Sequence, residues 1–509
     1  MRVLHILSQH QLTGAEVYAI TLAQAQQAQG DELWGVSDTF TLRFPGQVHL
    51  LPIGRRTWPQ RLRNVIALVR LIRREKIHLL HAHSRAAAWV AWFAAKLTGV
   101  PLVSTVHGLS AVHRSARQFR VYGKHVIAVC EKVREQLVQE LGYAPHHVRV
   151  IPNGFSPETW NAPPLPKEKA PSPFWLYVGR FTPHKGEVAL RILQAWAQLP
   201  VELRPSAFHL IGGTEVPPAL EALAAQIRQQ ASQPEIHLHP FESAVHSYVQ
   251  AASVVIGAGR VAIEGLLAGK PVIAFGEKGY WGLIRPDNLQ AAIETNFGDM
   301  GGPPWPSPEE LATEWAAYLR APIPPLPTAL TEELRRFYHI HRVEKAIRRT
   351  YEEARLTTLP PIPILCYHRI VEEPLSGRLA GLGVPLHRFA QQLEALSRMG
   401  FSPITFRDVL AYLEGQASLP RRPIILTFDD GYEDNYRYAF PLLQRYGMRA
   451  VIFGVTDPTR RWNFWDADAA PAPLLTPAQM REMAQYGIEF GAHTVTHPHL
   501  PQLPPAQAR

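Results

Sequence analysis

Cysteine is scarce in this sequence, and the long apolar runs typical of membrane-spanning chains are missing. The 509 residues include only two cysteines, Cys130 and Cys366, which excludes a disulfide framework and favours a reducing, cytoplasmic compartment. No apolar run reaches the roughly 18 to 20 residues that cross a bilayer. The apolar start at 1–7 is too short for a signal peptide. Because 46% of the residues are hydrophobic, the chain is not disordered as a whole.

Acidic residues are outnumbered by basic ones. The formal net charge of +9 favours anionic partners such as nucleotide phosphates or an acidic membrane face. Zinc-finger spacings, basic-zipper heptads and the aromatic-basic pattern of RNA-binding strands are absent, so nucleic acid is not an expected partner. The basic segment Arg55–Lys76 has apolar residues at helical spacing. It indicates either peripheral attachment to an anionic membrane or a lobe helix whose apolar side is core.

Proline clusters divide the chain. Its length predicts two or three domains of about 150 residues each. Proline-rich linkers are expected at 161–173, 302–308, 321–327 and 358–363. The predicted parts are a first lobe at 1–160, a second lobe at 174–320, a connecting helix at 328–356 and a third domain at 362–509. The connector is either a solvated surface helix or a helix that packs back on the first lobe.

Short apolar strands alternate with helical patterns in the first two parts. Strands are predicted at 2–7, 77–82, 102–105 and 126–129 in the first lobe, and at 174–178, 209–211, 236–238, 254–256 and 271–274 in the second. This alternation predicts an α/β fold of two Rossmann-like lobes, each with a parallel sheet and crossover helices. Ligands of such sheets bind at the carboxyl ends of the strands.

Two glycine turns in the second lobe follow predicted strands. After Gly179, the side chains of Arg180 and Lys185 can neutralise a diphosphate, although an ordinary surface loop has the same composition. The turn at 257–260 opens a helix whose free N–H groups form an anion site. Glu264, one turn inside that helix, is placed to accept hydrogen bonds from vicinal hydroxyls such as those of a ribose.

Two further segments are candidates for lining the crevice between the two predicted lobes. Gly14, directly after the first strand, lets backbone N–H groups face the crevice from the first lobe. The segment Glu277–Gly282 is either a donor-site loop or a plain surface turn.

These features together resemble the GT-B glycosyltransferases, in particular family 4, over about residues 1–355. The resemblance rests on SQHQLTGAE, STVHG, IPNGF, VGRFTPHKG and GRVAIEGLLAGKPVIA in this order. It implies transfer of a sugar from a nucleotide-sugar, expected to be a UDP-sugar, to a glycan or lipid-linked acceptor, with retention at the anomeric carbon and without a metal. The implied donor-site residues are Gly14 on the acceptor side, His107 facing the donor sugar, Arg180 and Lys185 on the diphosphate, Gly259, Arg260 and Val261 beside it, and Glu264 on the ribose.

The sequence departs from the family pattern at one carboxylate. The family has two glutamates separated by seven residues, and the position of the first holds Ile256 here. That carboxylate contacts the donor sugar in the family. Two alternatives to a transferase stay open. A sugar-nucleotide 2-epimerase is one, because the GT-B architecture also serves that reaction, and a non-catalytic nucleotide-sugar-binding scaffold is the other, because the first carboxylate is missing and the barrel expected in the third domain is incomplete.

The third part carries two motifs at predicted strand ends. Asp429 and Asp430 end the apolar run 424–428, and His493 and His497 follow a second run. One carboxylate and two histidines can bind one metal ion if the histidine segment turns helically, and such a site acidifies water and polarises a carbonyl. The second carboxylate can then serve as general base.

This part resembles the NodB-like polysaccharide deacetylases of carbohydrate esterase family 4, by LCYHRI, LTFDDGYEDNY, MRAVIFGV and FGAHTVTHPHL. The resemblance implies a divalent metal, expected to be Zn²⁺, on Asp430, His493 and His497, with Asp429 as base and Thr494 bracing the loop. The family's later motifs have no counterpart before Arg509, so a distorted (β/α) barrel is expected to be about half built, with an unpaired edge on its last strand. The sequence therefore predicts a sugar transferase fused to a partial amino-sugar N-deacetylase.

Overall fold

The computed structural model divides into two compact units, Met1–Arg355 and Leu356–Arg509. The structure describes the following residues: 1–8, 13–112, 114–163, 165, 173–181, 186–213, 215–229, 235–240, 242, 245–321, 323–359, 361–457, 459, 461–465, 471–498 and 500–504. Lys185 lies outside these described residues, as does the segment 9–12 of the first glycine motif.

The first lobe of unit 1 is a seven-stranded sheet in which every pairing is parallel. Its strands, in the spatial order β3-β2-β1-β4-β5-β6-β7, are β1 Arg2–Ile6, β2 Glu32–Ser37, β3 Gln47–Leu50, β4 Leu79–Ala82, β5 Leu102–Val106, β6 His125–Ala128 and β7 Val148–Val150. Its helices are α1 Gly14–Ala28, α2 Trp58–Arg74, α3 Arg85–Thr98, α4 Arg114–Gln118 and α5 Glu131–Glu135. Separate apolar clusters cover the two faces of this sheet, as parallel sheets require.

The second lobe repeats the plan with six strands. In the spatial order β10-β9-β8-β11-β12-β13, the strands are β8 Phe174–Val178, β9 Ala207–Ile211, β10 Glu235–His239, β11 Val254–Gly257, β12 Val272–Phe275 and β13 Tyr280–Leu283, of which only β13 is antiparallel to its neighbour. The helices are α6 Gly186–Gln198, α7 Pro218–Arg228, α8 Val245–Ala251, α9 Arg260–Leu267, α10 Leu289–Glu294 and α11 Pro308–Leu319.

The connector consists of two helices, α12 Thr328–Tyr338 and α13 Ile340–Thr358. Helix α13 packs on the first lobe, because Val343, Ile347 and Tyr351 belong to the same buried cluster as Val3 and Tyr18. Of the two readings of the connector, the structure therefore shows the helix that returns to the first lobe.

Unit 2 is a parallel sheet in the order β14-β18-β19-β20, with β17 also pairing with β18 and a two-stranded β15-β16 pair beside it. The strands are β14 Ile364–Tyr367, β15 Arg369–Val371, β16 Gly383–Pro385, β17 Ser402–Pro403, β18 Pro423–Phe428, β19 Val451–Gly454 and β20 Glu489–Ala492. The helices are α14 Leu386–Arg398, α15 Phe406–Leu413, α16 Phe440–Arg445 and α17 Pro477–Gln485. Within the described residues this sheet does not close into a barrel, and β20 pairs only with β19.

The sequence predicts a loop or a turn at Glu277–Gly282, but the second half of this segment is a strand. Tyr280 begins the antiparallel edge strand β13, and its side chain is buried against Phe275. The two aromatic residues of this short segment fit a half-buried pleated surface, which is why it forms a strand.

Candidate active sites

The predicted diphosphate residues follow two neighbouring strands of the second lobe. The strand order reverses between β8 and β11, and this switch point is where open parallel sheets bind ligands. Arg180 follows β8 and is exposed, while the turn into α9 follows β11. A methyl group added at Gly257 would lie 3.1 Å from the carbonyl oxygen of Val178, so the two strand ends leave the sheet side by side.

The turn into α9 depends on glycine. Gly259 has φ 53°, a left-handed conformation, and an added methyl group would lie 3.0 Å from Asn296 Nδ2 and 3.4 Å from Asp299 Oδ2. The Gly259 N–H donates to the carbonyl of Asn296, and the Val261 N–H donates to that of Ala258. Both amides expected to face an anion are thus engaged in this structure. Asp299, whose carboxylate borders the turn, is not among the residues predicted from the sequence.

The buried Glu264 forms an ion pair with the partly buried Arg260 on α9. Arg260 Nε donates to Glu264 Oε1 at 2.6 Å, and His246 Nδ1 lies 3.3 Å from Glu264 Oε2. The guanidinium also lies over the ring of Phe155, 4.4 Å from its centroid. Burial by itself raises the pKa of Glu264, but Arg260 and His246 outweigh it, so the net pKa is lowered. Each carboxylate oxygen has a further lone pair available to a ligand hydroxyl.

Replacing Glu264 by Gln is expected to lower the free energy of unfolding by about 3 kcal/mol, because Arg260 loses its charged partner in a largely buried site. Since the folded pKa of Glu264 is lowered, its contribution is present above the unfolded pKa and is lost as the pH falls through the folded pKa. The difference in unfolding free energy between wild type and Glu264→Gln should therefore shrink as the pH falls below 4.5, the ordinary pKa of a glutamate, and urea unfolding at several pH values measures it.

Glu332→Gln is the matched control, because the Arg335–Glu332 pair joins two α12 side chains that are 28% and 52% exposed. That change is expected to cost at most about 0.5 kcal/mol. An equal loss of unfolding free energy in the two variants would contradict the stabilising role of the Glu264–Arg260 ion pair.

The first lobe presents its own strand ends to this turn. His107 follows β5, and its ring lies edge-on to Tyr18 with centroids 4.9 Å apart. Burial lowers the pKa of His107 to about 4, so the imidazole is neutral near pH 7. Next to it, a methyl group added at Gly108 would lie 3.5 Å from Met300 Cε of the second lobe. Since Met300 follows Asp299, the edges carrying His107 and Gly259 approach each other across this segment.

Gly14 is the exposed first residue of α1. Thr13 caps the helix by accepting a hydrogen bond from the Glu16 N–H at 3.3 Å. The Glu16 side chain is fully buried and accepts from the N–H groups of Thr41 and Leu42. A cavity of about 430 Å³ lies at the hinge between the lobes and is lined by other residues, among them Asn153, Ile263 and Asn296.

In unit 2 the structure brings Asp430, His493 and His497 together. Asp430 Oδ1 lies 3.3 Å from His493 Nε2 and 3.1 Å from His497 Nε2. β18 and β20, which carry the two motifs, flank β19, so their carboxyl ends share one sheet edge. Within the described part of the chain, Asp430 Oδ1 is buried without a hydrogen-bond partner. One carboxylate oxygen and two imidazole nitrogens within 4.8 Å of one another suit a divalent transition metal.

The histidines converge through a left-handed turn rather than the helical turn that the spacing suggested. Asp430, Thr494 and His497 have φ of 73°, 63° and 57°. Thr494 Oγ1 accepts from the His497 N–H at 2.9 Å, and Trp465 stacks on the His497 ring at 4.6 Å. Positive φ in non-glycine residues is unfavourable and concentrates at functional sites, since the surrounding contacts must hold it.

Asp429 and Asp430 diverge at the strand end. The Cys366 thiol donates to Asp429 Oδ2 at 3.4 Å, while Asp430 faces the histidines. Burial raises the pKa of Asp430, against the lowering effect of His497. Asp434 is not among the residues predicted from the sequence; it is buried and accepts from Arg369 Nε at 2.7 Å. Its signal was its place inside the motif LTFDDGYEDNY.

Three family models match separate stretches of the chain. Residues 12–159 match Glycosyltransferase Family 4, residues 160–297 match glycosyl transferases group 1, and residues 416–509 match polysaccharide deacetylase. The chain joins a GT-B glycosyltransferase region to a polysaccharide deacetylase region. Both regions indicate an enzyme.

Solved structures support the fold of the glycosyltransferase region. A glycosyltransferase from Rickettsia africae is 19% identical, with a TM-score of 0.56 over 69% of this chain and 98% of its own. Anabaena HepE in complex with UDP and glucose is also 19% identical, with a TM-score of 0.53 over 70% of this chain and all of its own. At these identities the likeness establishes the GT-B fold.

Curated relatives match the deacetylase region. YxkH of Bacillus subtilis, which carries the name of a polysaccharide deacetylase, is 35% identical over 29% of this chain and 47% of its own length. The poly-beta-1,6-N-acetyl-D-glucosamine N-deacetylase of Escherichia coli K12 is 27% identical over 26% of this chain and 20% of its own length. The chain thus spans less than half the length of these relatives. Among the described residues, no helix combines the length and apolarity needed to cross a membrane.

Proposed function

We propose that unit 1 transfers a sugar from a nucleotide-sugar to a glycan or lipid-linked saccharide, with retention at the anomeric carbon and without a metal. The proposed donor is a UDP-sugar. The placement of Arg180 and the Gly259 turn at the switch point of the second lobe carries this proposal. HepE, which shares the fold, was solved with UDP and with UDP-glucose. Arg180 and Lys185 would hold the diphosphate, Arg260 and Val261 would lie beside it, and Glu264 would bind the ribose.

Fixed positive charge at the diphosphate would stabilise the departing nucleotide, which is the larger electrostatic contribution to such a transfer. His107 would face the donor sugar and Gly14 the acceptor. Ile256 stands where the family has a carboxylate, and it is fully buried in the sheet core. The sugar hydroxyls are therefore recognised by other groups.

Incubation of the full chain with UDP-N-acetylglucosamine and saccharide acceptors tests the transfer. We expect UDP release and a product heavier by one sugar, whose anomeric configuration by NMR matches that of the donor. An isomerised sugar nucleotide without an acceptor product would indicate an epimerase. Nucleotide binding without turnover would indicate a scaffold.

We propose that unit 2 carries the site of a metal-dependent N-deacetylase for amino sugars. Asp430, His493 and His497 would hold a divalent cation, Zn²⁺ first of all, and the buried, unpartnered Asp430 Oδ1 supports this fit. When bound, the cation would polarise the acetamide carbonyl and acidify water. Asp429 would accept the proton as general base. Acetate release from an N-acetylglucosamine oligomer, lost on dialysis against a chelator and restored by Zn²⁺, is the test.

We also propose peripheral contact with an anionic membrane through an α2 patch, consisting of Trp58, Leu62 and Ile66. The inner side of α2 packs in the lobe core, but these three side chains are 70%, 61% and 42% exposed and recur every four residues on the outer side. The helix and the two residues before its cap contain no acidic residue and carry Arg55, Arg56, Arg61, Arg63, Arg70, Arg73 and Arg74. Such a face suits the boundary of an anionic leaflet.

Replacing Trp58 and Leu62 by Ala together is expected to lower partitioning onto phosphatidylglycerol vesicles at least about tenfold, because two exposed apolar anchors are lost. Cosedimentation measures the bound fraction. Trp462→Ala is the matched control, since Trp462 is 53% exposed in unit 2. Equal binding of wild type to neutral phosphatidylcholine vesicles would argue against the patch.

A further inference from the structure

Four histidines gather at the switch point of the first lobe, where the strand order reverses between β1 and β4. His5 lies on β1, His81 and His83 lie at the end of β4, and His107 follows β5. The ring centroids of His83 lie 4.1 Å from His81, 5.2 Å from His5 and 5.9 Å from His107. Of these four, only His107 is predicted from the sequence as a site residue, although His81 and His83 stand at alternate positions at the end of one strand.

All four rings are neutral near pH 7. Burial lowers the pKa of His5 to about 4 and holds the pKa of His81 and of His83 well below the usual range. A neutral imidazole has one N–H donor and one nitrogen with a free lone pair. Its hydrogen-bond partners therefore decide which nitrogen carries the proton.

The hydrogen-bond partners determine which ring nitrogen carries the proton, first in His5 and then in His83. Gln26 donates through Nε2 to the Tyr351 hydroxyl at 3.0 Å, so its Oε1 accepts from His5 Nε2–H at 2.8 Å. His5 Nδ1 is then unprotonated and accepts from His83 Nε2–H at 2.9 Å. His83 Nδ1 is consequently left with a lone pair.

His83 Nδ1 is the last atom of the hydrogen-bonded chain that runs from Gln26 through His5 to His83, which we call the relay. His83 is 1% exposed, and within the described residues its Nδ1 has no hydrogen-bond partner. A buried acceptor without a donor is costly and calls for a ligand or water at that place. His83 lies at the switch point, and the hydroxyl of the next residue, Ser84, shares a hydrogen bond with that of Ser8 at 2.7 Å.

We infer that His83 Nδ1 accepts a hydrogen bond from a hydroxyl group of a bound sugar, and that Gln26 and His5 act as positioning residues that keep this nitrogen free of a proton. The inference rests on the proposed sugar transfer. The bound sugar can belong to either substrate, the nucleotide-sugar or the acceptor saccharide. Both substrates carry hydroxyl groups that can donate a hydrogen bond at these strand ends. Neighbouring His107, whose Nε2 is likewise buried without a partner among the described residues, would share the same ligand.

Histidine-labelled full-length protein tests the inference by long-range ¹H–¹⁵N NMR, which distinguishes protonated from unprotonated ring nitrogens. The free protein should show His83 with an unprotonated Nδ1. Addition of UDP-N-acetylglucosamine, but not of UDP, should shift that nitrogen if the donor sugar is bound. A shift only when N,N′-diacetylchitobiose is added with UDP would assign the contact to the acceptor.

Two outcomes separate the inference from the proposed function. Calorimetric binding of UDP and of the sugars with an unmoved His83 Nδ1, or a protonated Nδ1 in the free protein, would overturn the inference alone. No binding of UDP or of UDP-N-acetylglucosamine would remove the proposed transfer and the inference with it.

Substitutions give a second readout. His83→Gln places an amide N–H near the position of Nε2 but removes the Nδ1 acceptor, and kcat/KM should fall about five- to tenfold, as for one lost hydrogen bond. His83→Asn places an oxygen near Nδ1 and should recover part of that loss. Gln26→Leu should give a mixture of His83 tautomers in the NMR spectrum. His49→Asn, on the outer strand β3, is the matched control and should change none of these.

Discussion

Replacing Asp430 by Asn is expected to lower the Zn²⁺ affinity of the chain at least about a hundredfold, since an anionic ligand becomes a neutral amide of the same shape. The two histidine nitrogens would remain, but their partner at 3.1 and 3.3 Å would no longer carry charge. Isothermal titration with Zn²⁺ at pH 7.5 measures the affinity. His493→Ala should have an effect of similar size, because a histidine ligand is also lost.

His387→Ala is the matched control for this experiment. His387 is exposed in the first turn of α14, in the same unit as the candidate metal site. Its removal should leave the Zn²⁺ affinity and stoichiometry unchanged. Undiminished Zn²⁺ binding by both Asp430→Asn and His493→Ala would place any bound metal elsewhere in the chain.

Replacing Arg180 by Ala is expected to weaken UDP binding about tenfold or more, because a charge-assisted hydrogen bond to a phosphate contributes about 1.5 to 3 kcal/mol. The loss should be largest at low salt. Arg180→Lys should recover part of the affinity, because it restores the charge without the paired N–H groups. Equilibrium binding of UDP at two salt concentrations measures both effects.

Arg320→Ala controls for a general loss of positive charge. Arg320 is exposed at the end of α11 in the same lobe and follows no strand end of the sheet. Its removal should leave the UDP dissociation constant within about twofold, as expected for a distant surface charge. An equal loss for Arg180→Ala and Arg320→Ala would mean that UDP responds to net charge alone.

Much of the fold could be predicted because parallel strands are short apolar runs between helices. Strand β8 has the predicted bounds, and the other predicted strands of the two lobes differ by one or two residues at an end. In unit 1, the strands that were not predicted are β2, β3, β7 and β13, and they lie at or near the sheet margins. Their patterns are weak, since β3 is exposed at three of its four positions and β13 contains a glycine at φ 66°.

For the candidate sites, the sequence indicated several of the residues but not the backbone conformation or the contacts between distant segments. The resemblance pointed to Asp430 and the histidine pair, and the structure brings these three side chains together because the ends of parallel strands share one sheet edge. The spacing did not reveal the left-handed turn that joins His493 to His497. Nor did it reveal Asp299, which meets the Gly259 turn from a segment about 40 residues further along the chain.

The α/β class, the two-lobed plan and the residue types available for phosphate and metal can all be predicted from the amino-acid sequence, because they follow from local periodicity and short motifs. The pairing of those groups became visible in the folded chain. The tertiary structure placed α13 against the first lobe, engaged the Gly259 amide with a carbonyl and ended a buried hydrogen-bond relay at His83. These outcomes depend on contacts between residues far apart in the chain, and local sequence patterns carry no record of such contacts.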